Sequence, residues 1–322
     1  MPNILFASNS ISHFPGSVVG GEAWSYDANR VPYSIEMPIS TVASSPLIDE
    51  SQTDETWFHF RHGDSYWHAS DNNRICEIVD IDGNRILMLT YHNRFNEGYH
   101  AYIEMDDSSY TDVRYVPILA NALRTYDIQI KTTALEATFR IYVNELLIIE
   151  RSFAIGSFVK PRFLWIGGKW GNDGAGRGGR FSEILVADGD TRNARMDLLR
   201  PVAAGAYGNW LGPLASLADD DPTTGMTTTQ ADQNQSTTLT PYTGANNISN
   251  IVQVTTSIRG INSPTKLQHL IRMSNVDYLT PDFDVPFEKD YQVTDWRLNP
   301  ATSQPWAAAD IVGAEFGFRS IA

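Results

Sequence analysis

From residue 124 to residue 131 the chain switches between polar and apolar sides with each residue. In Arg124-Thr125-Tyr126-Asp127-Ile128-Gln129-Ile130-Lys131, the apolar Tyr126, Ile128 and Ile130 share one side and polar groups the other. That is the period-two pattern of a half-buried strand. Ala137-Thr138-Phe139-Arg140-Ile141-Tyr142-Val143 then reaches a turn at Asn144-Glu145 and returns as Leu146-Leu147-Ile148-Ile149-Glu150-Arg151. A chain built this way, with no long helical period, must close its core by layering or curling sheets.

The same reading extends in both directions. Thr56-Trp57-Phe58-His59-Phe60-Arg61-His62 is aromatic on both faces, and Gly63-Asp64 ends it. Arg74-Ile75-Cys76-Glu77-Ile78-Val79-Asp80-Ile81 meets Asp82-Gly83 and returns through Asn84 to Tyr91. Asp-Gly between two β-rich runs predicts a two-residue hairpin turn with both residues at positive φ. Pro161 to Gly168 enters a glycine-rich loop, and Arg180 to Asp188 leaves it. A strand with a short Asn-Glu turn and apolar return, then a strand ending in Gly-Gly, a loop and a closing strand resembles the laminin-G/concanavalin-like jelly roll. The resemblance implies that fold from about residue 3 to about residue 190.

The last 28 residues carry a second pattern. Asp295-Trp296-Arg297-Leu298-Asn299-Pro300-Ala301-Thr302 leads through Pro305-Trp306 to Ala307-Ala308-Ala309-Asp310, and Glu315-Phe316-Gly317-Phe318 closes the chain. Asn299-Pro300 opens a turn, because proline fixes φ and restricts the residue before it. Upstream, Ser182-Glu183, Val186-Ala187-Asp188, Gly205-Ala206, Trp210, Asp219-Asp220-Asp221 and Ile251-Val252-Gln253-Val254 follow in order. This ordered set, residues 181–322, resembles the small β-sandwich module at the C-termini of tailed-phage and prophage virion proteins. Where that family often has Thr or Ser after the second Trp, this chain has Ala307, so a weakly capped helix of one turn is expected. Residues 222–240 are rich in Thr, Gln, Asn and Asp, which predicts an edge strand with long loops or a partly mobile stretch.

The expected architecture is therefore all-β, with two tandem antiparallel β-sandwich domains. Residues 1–190 form the concanavalin/laminin-G-like jelly roll and 191–322 the smaller C-terminal module, with a junction at Asp188-Gly189-Asp190-Thr191-Arg192.

Charge and cysteine use exclude several classes. The formal net charge is −14, and neither domain contains a Lys/Arg run. Nucleic acid, which needs a positive stripe, is not an expected partner. One cysteine, Cys76, permits no internal disulfide. No run reaches transmembrane length, and no signal-peptide pattern opens the chain, so neither membrane insertion nor secretion is expected.

Chemistry-bearing residues do not assemble into a reactive pattern. His59, His62 and His68 crowd one hairpin, but His59 shares a face with Trp57 and Arg61 while His62 shares the other with Phe60. Aromatic packing and cross-strand pairing account for them better than a metal site. Glu77 and Asp80 are faintly similar to a jelly-roll glucanase strand, but a spacing of three sends them to opposite faces. Gly174-Ala175-Gly176-Arg177-Gly178-Gly179 fits Gly-x-Gly-x-x-Gly, but a strand follows where a dinucleotide site needs a helix. Cys76 reads as an inert buried thiol. Asp219-Asp220-Asp221 reads as a solvated turn rather than a calcium site.

One loop is a candidate contact surface. Trp170, Asn172, Asp173 and Arg177 offer a stacking face, two polar groups and a cation, for a glycan or a neighbouring subunit. Taken with the phage resemblance, the expected function is non-enzymatic, with no cofactor and no metal. The chain is expected to be a tail or fibre component of a virion, made in the host cytoplasm. Its expected partners are other virion proteins and further copies of itself, with host-surface polysaccharide as the candidate ligand. The alternatives are a polysaccharide depolymerase on the jelly-roll domain and a carbohydrate-binding module of a bacterial protein.

Overall fold

A computed structural model describes residues 2–9, 13–14, 31, 34–37, 41–64, 72–92, 98–105, 108–114, 123–154, 160–167, 179–219, 221, 223–244 and 248–322. The protein is all-β, with several antiparallel sheets distributed over two compact units, residues 2–196 and 197–322.

The first unit contains β1 (Ile4–Ser8), β2 (Ile35–Glu36), β3 (Val42–Ser44), β4 (Glu55–Asp64), β5 (Asn72–Val79), β6 (Arg85–His92) and β7 (Gly98–Met105). It continues with β8 (Ser108–Arg114), β9 (Arg124–Thr132), β10 (Glu136–Val143), β11 (Leu146–Ala154), β12 (Phe163–Gly167) and β13 (Gly179–Ala187). One sheet has the order β1-β13-β4-β9-β10-β11, with β2 also paired to β13. The other has the order β3-β12-β5-β6-β7-β8.

The apolar side of the alternation is buried, and on β9 the polar side is buried too, with Asp127 0% and Gln129 5% exposed. Phe58 and Phe60 of β4, Tyr126, Ile128 and Ile130 of β9 and Phe139 and Ile141 of β10 are buried together with Phe181 of β13. Phe60 stacks on Tyr126 with ring centroids 5.2 Å apart. Cross-strand aromatic pairs of this kind hold register as well as area.

Two turns separate expectation from outcome. Asn144 and Glu145 have φ of 49° and 67°, so β10 and β11 are joined by the expected two-residue turn with both residues left-handed. At Asp82-Gly83 only Gly83 has positive φ, at 82°. That hairpin is a longer turn from Asp80 to Asn84. The Asp80 carboxylate organises it by accepting the N–H groups of Asp82 and Asn84, both at 2.8 Å. A short acceptor placed two residues before the turn outcompetes the two-residue geometry.

The second unit contains β14 (Pro201–Gly208), β15 (Asn234–Leu239), β16 (Ile251–Ser257), β17 (Lys266–Met273), β18 (Val276–Leu279), β19 (Phe283–Asp284), β20 (Asp290–Trp296) and β21 (Glu315–Ile321). Its sheets are β14-β15-β21-β17-β18, with β19 on β17, and the ribbon β16-β20. Residues 234–239 are not an edge strand, because β15 lies between β14 and β21. Its polar side chains are compatible with that place because they find partners. The Thr237 hydroxyl donates to the Phe316 carbonyl, and the Ser236 hydroxyl donates to Glu315. A one-turn helix, Ala308–Ile311, follows Trp306, and its N-cap Ala307 makes no side-chain cap. Asp310 compensates by accepting the Ala307 N–H at 2.8 Å.

Candidate functional site

The expected contact residues Trp170, Asn172, Asp173 and Arg177, and also His68, lie outside the described residues. The strand Gly179–Ala187 follows that loop. Two other clusters of functional side chains are described, one in each unit.

The first lies on the polar face of the seven-stranded sheet. Trp57, His59 and Arg61 project from β4, Asp127 and Gln129 from β9, and Arg140 and Tyr142 from β10. Gln129 donates to Glu55, Arg140 donates to the Gln129 amide oxygen at 3.0 Å, and Arg140 donates to Glu150 at 2.9 Å. Beside this polar row, Trp57 and Tyr142 stack with centroids 5.9 Å apart. His59 and Asp127 are directly opposed across β4 and β9, with Nδ1 2.8 Å from Oδ1. An ionised carboxylate only accepts, so Nδ1 is the donor. Residues 190–196 cover this end of the face. Asp190 and Arg192 form an ion pair that holds the Asp190 carboxyl below its ordinary range and the Arg192 guanidinium above its own.

His62, on the opposite face, packs on Phe181 with centroids 4.7 Å apart. The two histidines are therefore separated by the sheet. No group of three metal-binding side chains occurs among the described residues.

The buried carboxylates of this unit are each tied to the fold. Glu77 accepts from Arg74 and, at 2.7 Å, from Arg85. Asp80 organises its turn, and Asp127 accepts from His59 and Thr191. Glu183 pairs with Arg61 at 3.2 Å and accepts the Met196 N–H at 3.2 Å. Burial pushes the Cys76 thiol well above its ordinary range, so it does not ionise near neutrality.

The second cluster gathers residues far apart in sequence. The Ala206 N–H and the Ser236 hydroxyl donate to Glu315 Oε2 at 2.7 and 2.6 Å. The register shift between Ala204 and Gly208 lifts this part of β14. It carries Tyr207 over the sheet, where its hydroxyl donates to Asp277 at 2.6 Å and accepts from Arg272 at 3.0 Å. The hydrogen bond to Asp277 raises the Tyr207 phenol above its ordinary range.

Trp210 meets Phe318 edge-on at 4.7 Å and donates to the Gln233 carbonyl at 3.1 Å. Gln253 on β16 donates to the Gly317 carbonyl at 2.6 Å and accepts from Trp296 Nε1 at 3.2 Å. Trp306 Nε1 donates to the Trp296 carbonyl at 2.6 Å. The Asn299 side chain accepts the Ala301 N–H at 2.8 Å, which fixes the turn between the two tryptophans.

His269 was not singled out by the sequence reading. It projects from β17 onto the β16-β20 ribbon, with Nδ1 2.6 Å from Thr294 Oγ1 and Nε2 2.9 Å from Thr255 Oγ1. Burial lowers its pKa to about 4. The available signal is its position: it shares a strand face with Leu267 and Ile271.

No family model matches the chain, and no curated protein matches it. Solved structures do match. An alginate lyase from Pseudomonas aeruginosa is 12% identical, over 56% of this chain and 96% of the enzyme, with a TM-score of 0.40. A Trypanosoma rangeli sialidase is 8% identical, over 48% of this chain and 25% of the enzyme, with a TM-score of 0.36. An endo-1,3-β-glucanase from Streptomyces sioyaensis is 10% identical, over 57% of this chain and 88% of the enzyme, with a TM-score of 0.37. Likenesses at these scores assign neither activity nor ligand.

Proposed function

We propose that the protein is a non-catalytic structural component of a tailed-phage virion, built from two tandem β-sandwiches, the first of the concanavalin/laminin-G-like kind. One observation carries this reading. Among the residues that make residues 181–322 similar to a phage virion module, Ala206 is bonded to Glu315, Gln253 to Gly317 and Trp296, and Trp306 to Trp296, while Trp210 packs on Phe318, all within the second unit. These mutual contacts support a scaffold role for the second unit. The tied carboxylates of the first unit support the same reading. Further copies of the chain and other virion proteins are its partners and a host-surface polysaccharide is its candidate ligand, with Trp170, Asn172, Asp173 and Arg177 as the contact for the glycan or for a neighbouring subunit. Many weak contacts in a repeating particle sum to firm attachment.

Mass spectrometry of purified particles, with imaging of particles labelled by an antibody to this chain, tests the assignment. Stoichiometric presence on tail or fibre is expected, and absence from particles overturns it.

A second reading is a carbohydrate-binding module or polysaccharide depolymerase. It is favoured by the Arg140–Glu150 pair, which reaches the surface beside the buried Gln129 and offers a guanidinium and a carboxylate to a hydroxyl-rich ligand. Release of new chain ends from host polysaccharide separates the depolymerase from the adhesin.

A further inference from the structure

Residues 190–196 are held on the first unit by polar ties. The Thr191 hydroxyl donates to Asp127 Oδ1 at 2.8 Å. The Arg192 guanidinium lies 4.8 Å from the Tyr142 ring centroid and 5.6 Å from that of Trp57. Arg195 reaches Glu145 at 3.3 Å, and the Met196 N–H donates to Glu183 at 3.2 Å. Thr191 alone in this segment is buried, so closing it gains little from apolar burial.

What lies beneath favours opening. His59 and Asp127 are 1% and 0% exposed, yet His59 Nε2 and Asp127 Oδ2 have no hydrogen-bond partner. A buried polar atom without a partner costs stability, and contact with solvent removes that cost. Opening the segment breaks the Thr191, Arg192, Arg195 and Met196 ties, but water replaces these polar contacts and hydrates both unsatisfied atoms. The net free energy of opening is therefore small beside that of unfolding the sheet.

We propose that residues 190–196 are a strap that opens locally, ahead of global unfolding, and bares the His59–Asp127 pair and the Trp57–Tyr142 stack. The chain runs from Met196 directly into Asp197, the first residue of the second unit.

Hydrogen–deuterium exchange on the full-length protein tests this, read together with diethylpyrocarbonate labelling of His59 located by peptide mass. In the wild type, amides of 190–196 are expected to exchange faster than those of Glu55–Asp64 and Arg124–Thr132. Thr191→Val removes the tie to Asp127. It is expected to speed exchange of the strap and labelling of His59 by about tenfold, the worth of one hydrogen bond to a charged group, while the strands are unchanged. Arg195→Ala lies at the surface and leaves the buried pair intact. It provides the same reading, with a smaller acceleration, should Thr191→Val fail to fold. Exchange of 190–196 only at the rate of the strands, shifting together with them in either variant, would show a permanent wall and overturn the proposal.

Discussion

The Glu315 carboxylate occupies the space that a Cβ on Gly205 would fill. A methyl group there collides with Glu315 Oε2 and with the Ser236 hydroxyl, the two groups that hold the lifted part of β14. Gly205→Ala is expected to destabilise the second unit by about 2 kcal/mol, from overpacking and a displaced charge-assisted hydrogen bond. Gly317→Ala meets the Gln235 backbone carbonyl, which cannot swing aside, and should cost about 3 kcal/mol. Gly208 has open space around it, so Gly208→Ala should stay within about 0.5 kcal/mol. Urea unfolding followed by tryptophan fluorescence ranks the three.

His269 makes the second unit sensitive to acid. Its folded pKa of about 4 lies below the unfolded value, so the unfolded chain binds the proton more readily between the two. Stability contributed by the neutral ring is complete above about pH 6.5 and falls as pH drops toward 4, by at most about 3 kcal/mol. Below that window the dependence from this residue flattens. His269→Gln should remove this slope from a plot of urea midpoint against pH, and an unchanged slope would assign it to other groups.

Glu77 is 3% exposed and shared between Arg74 and Arg85. Glu77→Gln leaves two guanidinium groups without their counter-charge and should lower first-unit stability by about 3 kcal/mol. Thermal unfolding by calorimetry measures this. Polysaccharide binding by the folded fraction should be unchanged, as expected for a carboxylate that holds strands together.

Trp306 is 4% exposed and packs with Ile271, Ala314 and Phe316 against Trp296. Trp306→Phe keeps an aromatic ring but loses the bond to the Trp296 carbonyl, for about 1 kcal/mol. Trp306→Ala also empties the core and should cost about 4 kcal/mol. Equal losses in the two variants, measured by denaturant titration, would show that the indole N–H carries the whole effect.

Much of the architecture was legible because alternation is a local property. Tyr126, Ile128 and Ile130 read as one face and are buried as one face. Asn144-Glu145 read as a turn because two polar residues interrupt β-rich runs on either side, and both adopt positive φ there. The Asp82-Gly83 turn was misjudged because the deciding group, the Asp80 carboxylate, acts from outside the pair. Residues 234–239 looked like an edge because their side chains are polar. The partners that allow an interior place, Glu315 and the Phe316 carbonyl, lie 79 residues away. Asp127 shows the same limit. It sits on the polar side of β9, as its register requires, and is buried because residues 190–196 fold back over it. No period in the sequence announces a contact of that range.

The most direct measurement is to incubate the purified full-length protein with host-surface polysaccharide and follow binding and chain length together. Saturable binding with no new reducing or unsaturated ends is the predicted result. Shortening of the polysaccharide that disappears in Glu183→Gln or Asp127→Asn, with the variants still folded, would contradict the account.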